Sequence, residues 1–135
     1  MKVFFDTNVL VSAFTTRGLS ADLMRLVIAQ HELVTGEVNL TEFRRVLRDR
    51  FHMPVSEISA LERQWREHTM VAKPAAPSDH PIRDPDDAWV LGSAMAGGAD
   101  ILVTGDQDLL TIAEAASLPV LDPRACWDQL RHSRA

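Results

Sequence analysis

Lys2-Val3-Phe4-Phe5-Asp6-Thr7-Asn8 is the stretch on which the fold turns. It is apolar from Val3 to Phe5 and then changes abruptly to Asp-Thr-Asn, residue types that open helices by accepting bonds from free backbone N–H groups. A strand that runs straight into a helix is the first half of a strand-helix-strand unit rather than of a hairpin.

The same alternation continues outward from there. The sequence predicts a short helix over Asn8 to Phe14, broken near Arg17-Gly18, then a second helix capped by Ser20 with Leu23, Leu26 and Val27 on one face. Glu32 to Thr35 reads as a strand, and Gly36 turns the chain into a third helix with Leu40, Phe43, Val46 and Leu47 inward. Pro54 and Ser56 open a fourth helix carrying Ile58, Leu61 and Trp65, followed by a weaker strand over Thr69 to Ala72. Lys73 to Ile82 holds three prolines and little periodicity, so it reads as a loop within the domain. A helix from Pro85 to Ala96 stops at Gly97-Gly98. Ile101 to Thr104 is the next strand, Gln107 to Ala116 a helix, Val120-Leu121 a short strand, and Pro123 to about Arg131 a last helix. Strands separated by helices predict a three-layer α/β/α domain over residues 1–135, with a mostly parallel central sheet of four to five strands.

Composition sets the outer limits. With 46% hydrophobic and 24% charged residues, the chain has the balance of a globular protein, so disorder is not expected. No apolar run approaches the ~20 residues that cross a bilayer, and the N-terminus opens into a strand, so a cytoplasmic protein is expected. A single cysteine, Cys126, excludes an internal disulfide framework and a cysteine-rich zinc site. The net charge of −5 argues against holding nucleic acid by bulk positive potential, unless bound divalent ions offset the acids locally.

Four acids, Asp6, Glu42, Asp87 and Asp106, each follow or open an element in a way expected to bring them to one edge of the sheet, and Asp6 and Asp106 fall outside the carboxyl ends of strands, where α/β sheets gather functional groups. Each has a purely structural explanation as well. Asp6 and Asp106 suit helix caps, Asp84-Pro85 is a helix start by composition, and Glu42 suits a solvated helix. The chain carries its own control in Asp122-Pro123-Arg124-Ala125, which repeats the cap and proline but has alanine where the earlier segment has Asp87. Asp87 shares a helical face with Val90, Leu91 and Ala94, the stripe expected against the sheet, and a carboxylate there is costly without a compensating cation or hydrogen bond. Asp86 lies off that stripe and is expected to face solvent. Glu42 flanks its own apolar stripe and could face either the sheet edge or water.

Taken together, Asp6-Thr7-Asn8 after an apolar strand, Glu42 in a Thr-Glu-Phe helix, Arg83-Asp84-Pro85-Asp86-Asp87, and Thr104-Gly105-Asp106-Gln107-Asp108 resemble the four motifs of PIN-domain proteins. More narrowly they resemble the toxin component, PIN family, of bacterial toxin–antitoxin pairs, related to the VapC toxins. The resemblance runs from residue 1 to about residue 122. It implies that Asp6, Glu42, Asp87 and Asp106 form an acidic quartet that binds Mg²⁺ or Mn²⁺ and carries catalysis. Asp84 and Asp108 match secondary acids, and Thr7, Asn8 and Thr104 match supporting polar residues. The implied activity is hydrolysis of RNA phosphodiester bonds, the implied partners a cognate antitoxin and a second copy of the chain. All-oxygen ligation suits those ions better than zinc.

Arg44, Arg45 and Arg48 form a basic helical face, either solvated or in contact with RNA or antitoxin. Trp65, Trp89 and Trp127 have apolar neighbours, which favours core packing over base stacking for them. The five histidines show no metal spacing and no Ser or Cys partner, which removes a hydrolase triad. Two alternatives are a PIN-like binding module without turnover and a haloacid-dehalogenase-type phosphatase. The second requires another acid two residues after the first, where this chain has Asn8.

Overall fold

The computed structural model describes residues 1–112, 116 and 118–132. Its elements run β1 (Lys2–Phe5), α1 (Thr7–Thr15), α2 (Leu19–Gln30), β2 (Glu32–Gly36), α3 (Glu37–Asp49), α4 (Val55–Trp65), β3 (Thr69–Val71), α5 (Pro85–Ala96), β4 (Ile101–Val103), α6 (Gln107–Thr111), β5 (Val120–Leu121) and α7 (Pro123–His132). The five strands form one sheet in the order β3-β2-β1-β4-β5, and every pairing is parallel. This is the α/β architecture that the alternation of elements predicts.

Successive strand residues point to opposite faces of the sheet, and β1 uses both. Val3 and Phe5 join Leu10, Leu23, Leu40, Phe43, Trp65 and Leu130 in one core. Phe4 faces the other way, into Val34, Leu91, Ala94, Leu102 and Leu109. Both phenylalanines are fully buried because helices cover both faces, as an all-parallel sheet requires. On the first face, the Trp65 ring meets Phe14 edge-on at 4.9 Å and Phe43 edge-on at 6.2 Å, which ties α4 to α1 and α3.

The strand order places a switch point beside β1, whose chain continuation goes to β2 on one side while β4 lies on the other. Crevices at such points, outside the carboxyl ends of the strands, are where open α/β sheets bind ligands. Register fixes what meets there. Phe5 pairs with Val103, and the next residue along continues the ladder through Asp6 N–H donating to the Val103 carbonyl at 2.9 Å. Asp6 therefore lies beside Thr104.

Several local expectations need correction. Ser20 does not cap the second helix; Gly18 stands at the cap position without a side-chain bond, and Ser20 is buried inside the first turn. Helix α1 starts one residue early, at Thr7, because Asp6 is its cap. The strands expected at Thr69 to Ala72 and Ile101 to Thr104 end at Val71 and Val103. Helix α6 is described only over Gln107–Thr111, and its expected continuation toward Ala116 includes residues 113–115, outside the described residues. Among the described residues, no helix is long and apolar enough to cross a membrane.

Candidate active site

Three helix N-termini open toward the carboxyl edge of the sheet, and an acid caps each. Asp6 Oδ1 accepts from Thr7 N–H at 2.7 Å, Asp84 Oδ1 from Asp86 N–H at 3.0 Å, and Asp106 Oδ1 from Asp108 N–H at 2.8 Å. The capping explanation therefore holds for Asp6, Asp84 and Asp106, since the positive ends of helices favour carboxylates there.

Asp6 lies deepest. Its Oδ1 also accepts from Asn39 Nδ2 at 3.1 Å, and its Oδ2 accepts from Thr104 Oγ1 at 2.7 Å and Asn8 Nδ2 at 3.2 Å. Four donors fix both oxygens, yet burial dominates and the nearby charges of Glu42 and Asp106 add to it, so the carboxyl is pushed up to about 6. The donors are anchored in turn. Thr104 Oγ1 accepts from Asp106 N–H at 3.0 Å, and Asn8 Oδ1 accepts from Gly105 N–H at 2.8 Å. Asn8 thus joins the ends of β1 and β4 as a neutral tether, which is a different task from the second acid that a phosphatase of the haloacid-dehalogenase type needs.

Asp87 sits one turn before Val90 and Leu91 on the buried face of α5, with only 7% of its surface exposed. Its Oδ2 is buried without a hydrogen-bond partner among the described residues. Burial, followed by the charges of Asp106, Asp6 and Asp84 and by a hydrogen bond to Asp106 that the protonated form makes, pushes this carboxyl up to about 8. Ligand oxygens of Asp87, Asp106 and Asp108 lie within 4.8 Å of one another. Arg83, almost fully exposed, reaches Asp108 at 3.4 Å.

The structure thus brings Asp87, Asp106 and Asp108 into one group and places Asp6 and Glu42 outside it, within electrostatic reach. Glu42 is half-buried, and burial raises its carboxyl while Arg45 opposes that shift. Thr7 Oγ1 lies 3.4 Å from Glu42 Oε2, which links the α3 acid to the β1 edge. Glu42 accordingly faces the sheet edge, one of the two orientations its sequence position left open. Asp84 caps α5 and Asp86 is exposed beside it, as expected.

The basic face of α3 divides. Arg44 is paired with Glu62 at 3.0 Å and Arg48 with Asp49 at 2.7 Å, whereas Arg45 makes no ion pair within 4.0 Å among the described residues. Only Arg45 of the three lines the cleft that adjoins the acids. The tryptophans divide as well. Trp65 is core, Trp127 packs against the core partly buried, and Trp89 lines that same cleft, contrary to its expected place.

Asn39 was not visible as a site residue. It is fully buried, donates to Asp6 and to Thr7 Oγ1 at 3.2 Å, and a Cβ on Gly36 would come within 3.1 Å of its amide oxygen. The signal was present in the spacing, since Asn39 lies three residues before Glu42 on α3 and so shares its side of the helix. Asn39→Ala removes a donor from a buried carboxylate, and we expect a loss of about 1–3 kcal/mol in chemical denaturation at neutral pH. Unchanged stability would show that Asp6 does not depend on it.

The donor set fits a hard divalent cation. Among the described residues, three carboxylates share one small space, one of their oxygens is buried with no N–H or hydroxyl donor on it, and no sulfur or imidazole belongs to the group.

A parallel sheet with carboxylates gathered outside the ends of β1 and β4 defines an acid-centred α/β domain. The sequence matches the PIN domain over residues 2–108, and the chain belongs to that family. Among solved structures it is similar to VapBC2 from Rickettsia felis bound to a promoter DNA fragment, with TM-score 0.63, 12% identity, and coverage of 90% of this chain and 98% of that one. It is also similar to VapBC-1 from nontypeable Haemophilus influenzae, with TM-score 0.63, 16% identity, and coverage of 92% and 99%. PAE2754 from Pyrobaculum aerophilum gives TM-score 0.60 at 15% identity, with coverage of 98% and 91%. At these identities the likeness is one of fold. No curated protein sequence matches significantly.

Proposed function

We propose that this PIN domain is a divalent-cation-dependent endoribonuclease and the toxin of a type II toxin–antitoxin pair, with Asp6, Glu42, Asp87 and Asp106 as its acidic quartet. The observation that carries the reading is the buried Asp87 carboxyl gathered with Asp106 and Asp108, their ligand oxygens within 4.8 Å of one another. An apolar helix face does not keep a carboxylate there without something to compensate it.

Asp87, Asp106 and Asp108 are the residues that would hold Mg²⁺ or Mn²⁺. Asp6 contributes fixed negative charge from beneath them, and its four donors prevent it from turning away. Such an ion supplies a lowered pKa for water and charge relief at phosphorus. Glu42, held by Thr7 beside Asp6 and raised in pKa by burial, would take the proton that the attacking water loses. Thr7 holds one of its oxygens and leaves the other available.

The antitoxin reading draws on the neighbours, whose names describe VapBC complexes. A partner segment bearing an arginine would block the site by pairing with the same carboxylates that the ion uses.

The test is cleavage of single-stranded RNA in Mg²⁺ and in EDTA. Cleavage in Mg²⁺ alone is expected. RNA left intact in both conditions would reduce the protein to a binding module. The toxin role is tested apart from the chemistry, by growth arrest on expression of the wild-type chain and its absence with Asp87→Asn.

A further inference from the structure

The cleft beside the acids has features that the acids themselves do not explain. It encloses about 330 Å³ between α3, which gives Val38, Glu42 and Arg45, and α5, which gives Asp86 and Trp89, with Lys73 at its rim. Lys73 Nζ lies 4.6 Å from the centre of the Trp89 ring. Neither Lys73 nor Arg45 makes an ion pair within 4.0 Å among the described residues.

The segment that carries Lys73 is held in place. Ser78 N–H donates to the Ala88 carbonyl at 2.9 Å, which straps the proline-containing loop across α5 one residue before Trp89. Gly92 permits that approach, because a Cβ there would come within 3.2 Å of Ser78 N. An indole forming part of the wall, with Lys73 over its ring and Arg45 lining the same cleft, matches the parts of a nucleotide: a π face for the base and positive charge for phosphate. The acids in the cleft do not cancel this match. Glu37 is neutralised by Arg66 at 2.5 and 3.0 Å, while Glu42 is held by Thr7 beside Asp6 and Asp86 precedes Asp87 in the chain.

We infer that this cleft is a subsite for single-stranded RNA, in which one base beside the cleavage point stacks on Trp89 while Lys73 and Arg45 contact the flanking phosphates. The lysine over the indole marks the place the base takes, and it moves from the ring to a phosphate when the strand enters. The inference rests on the ribonuclease reading for its substrate class. It adds the residues that grip the strand.

The experiment measures fluorescence anisotropy of a labelled RNA octamer with the full chain in Ca²⁺, an ion that takes oxygen ligands, with the RNA checked for integrity afterwards. Trp89→Ala is expected to weaken binding about 10- to 100-fold, while Trp89→Phe, which keeps a ring, stays within about threefold of wild type on the same stacking argument. Lys73→Ala and Arg45→Ala are each expected to lower the slope of log affinity against log salt by about 1. Neither cation lies in the core, so both variants test the idea even if the alanine at 89 impairs folding. Wild-type affinity in Trp89→Ala, or equal losses in the Phe and Ala variants, would overturn it. RNA binding indifferent to all these changes would instead mark the cleft as a seat for a partner peptide, which also overturns it. The two readings fail separately: Trp89-dependent binding without Mg²⁺-dependent cleavage removes the nuclease and keeps the subsite, whereas cleavage with unchanged KM in Trp89→Ala removes the subsite alone.

Discussion

Replacing Asp87 by asparagine is expected to lower RNA cleavage by about 10²- to 10³-fold, the scale on which removing an electrostatic element of a catalytic centre acts, while making the metal-free protein more stable. The two effects have one cause. Asp87 is buried on an apolar helix face with other carboxylates beside it, so its ionised form is unfavourable until a cation arrives. Asparagine keeps the shape and removes the charge, so the metal-free melting temperature at pH 8 should rise by about 2–6 °C, corresponding to ~1–2 kcal/mol. Cleavage assays and calorimetry on the same preparation check both halves. An inactive variant that melts below the wild type would mean that Asp87 supports the fold instead of straining it.

Addition of Mg²⁺ or Mn²⁺ gives the second large effect. At a hundredfold excess over Kd, an ion that binds only the folded state contributes about 2.7 kcal/mol, which for a chain of this size raises the melting temperature by about 5–10 °C. The gain should depend on pH in a fixed direction. A carboxyl whose folded pKa is raised gives stability that is fully present below its ordinary value and is lost as pH rises through the folded value. For Asp87 that window runs from 3.8 to about 8, and for Asp6 from 3.8 to about 6. These two groups therefore make the metal-free protein less stable as pH rises from 4 toward 8. Metal binding shows the opposite slope, because an ion displaces the proton and binds less tightly as pH falls below the pKa of its ligand. The stabilisation by Mg²⁺ should accordingly grow from pH 6 to pH 8. Titration calorimetry at the two values measures it, and an increment that shrinks with pH would remove these carboxyls as the binding groups.

How much was legible in the sequence differs from element to element. The strand Val3 to Phe5 running into Asp6 was readable because both signals are local, an apolar run and a cap. Asp87 was readable because helical spacing alone sets it on the face of Val90, Leu91 and Ala94, and those residues are buried. Ser20 was misread because a serine near a helix start is a weak signal, and the break at Arg17-Gly18 left the cap to glycine. Trp89 was misread for a related reason. Composition sends tryptophan inward, and nothing local reveals that the ring borders an open cleft beside Lys73, sixteen residues earlier in the chain.

By itself the sequence determined the alternation of strands and helices, hence the parallel sheet, and it determined which acids stand at element boundaries, because caps and periodicity act over a few residues. Only the tertiary structure decided which acids share a space. Register places Asp6 beside Thr104 across ninety-eight positions, and the packing of α5 and α6 puts Asp108 with Asp87 and Asp106. It likewise decided that Asn39 holds Asp6 and that Arg45, unlike Arg44 and Arg48, lines the cleft without an ion pair within 4.0 Å among the described residues. Those outcomes depend on distances between segments far apart in the chain, and such distances exist only once the sheet has formed and both of its faces are covered.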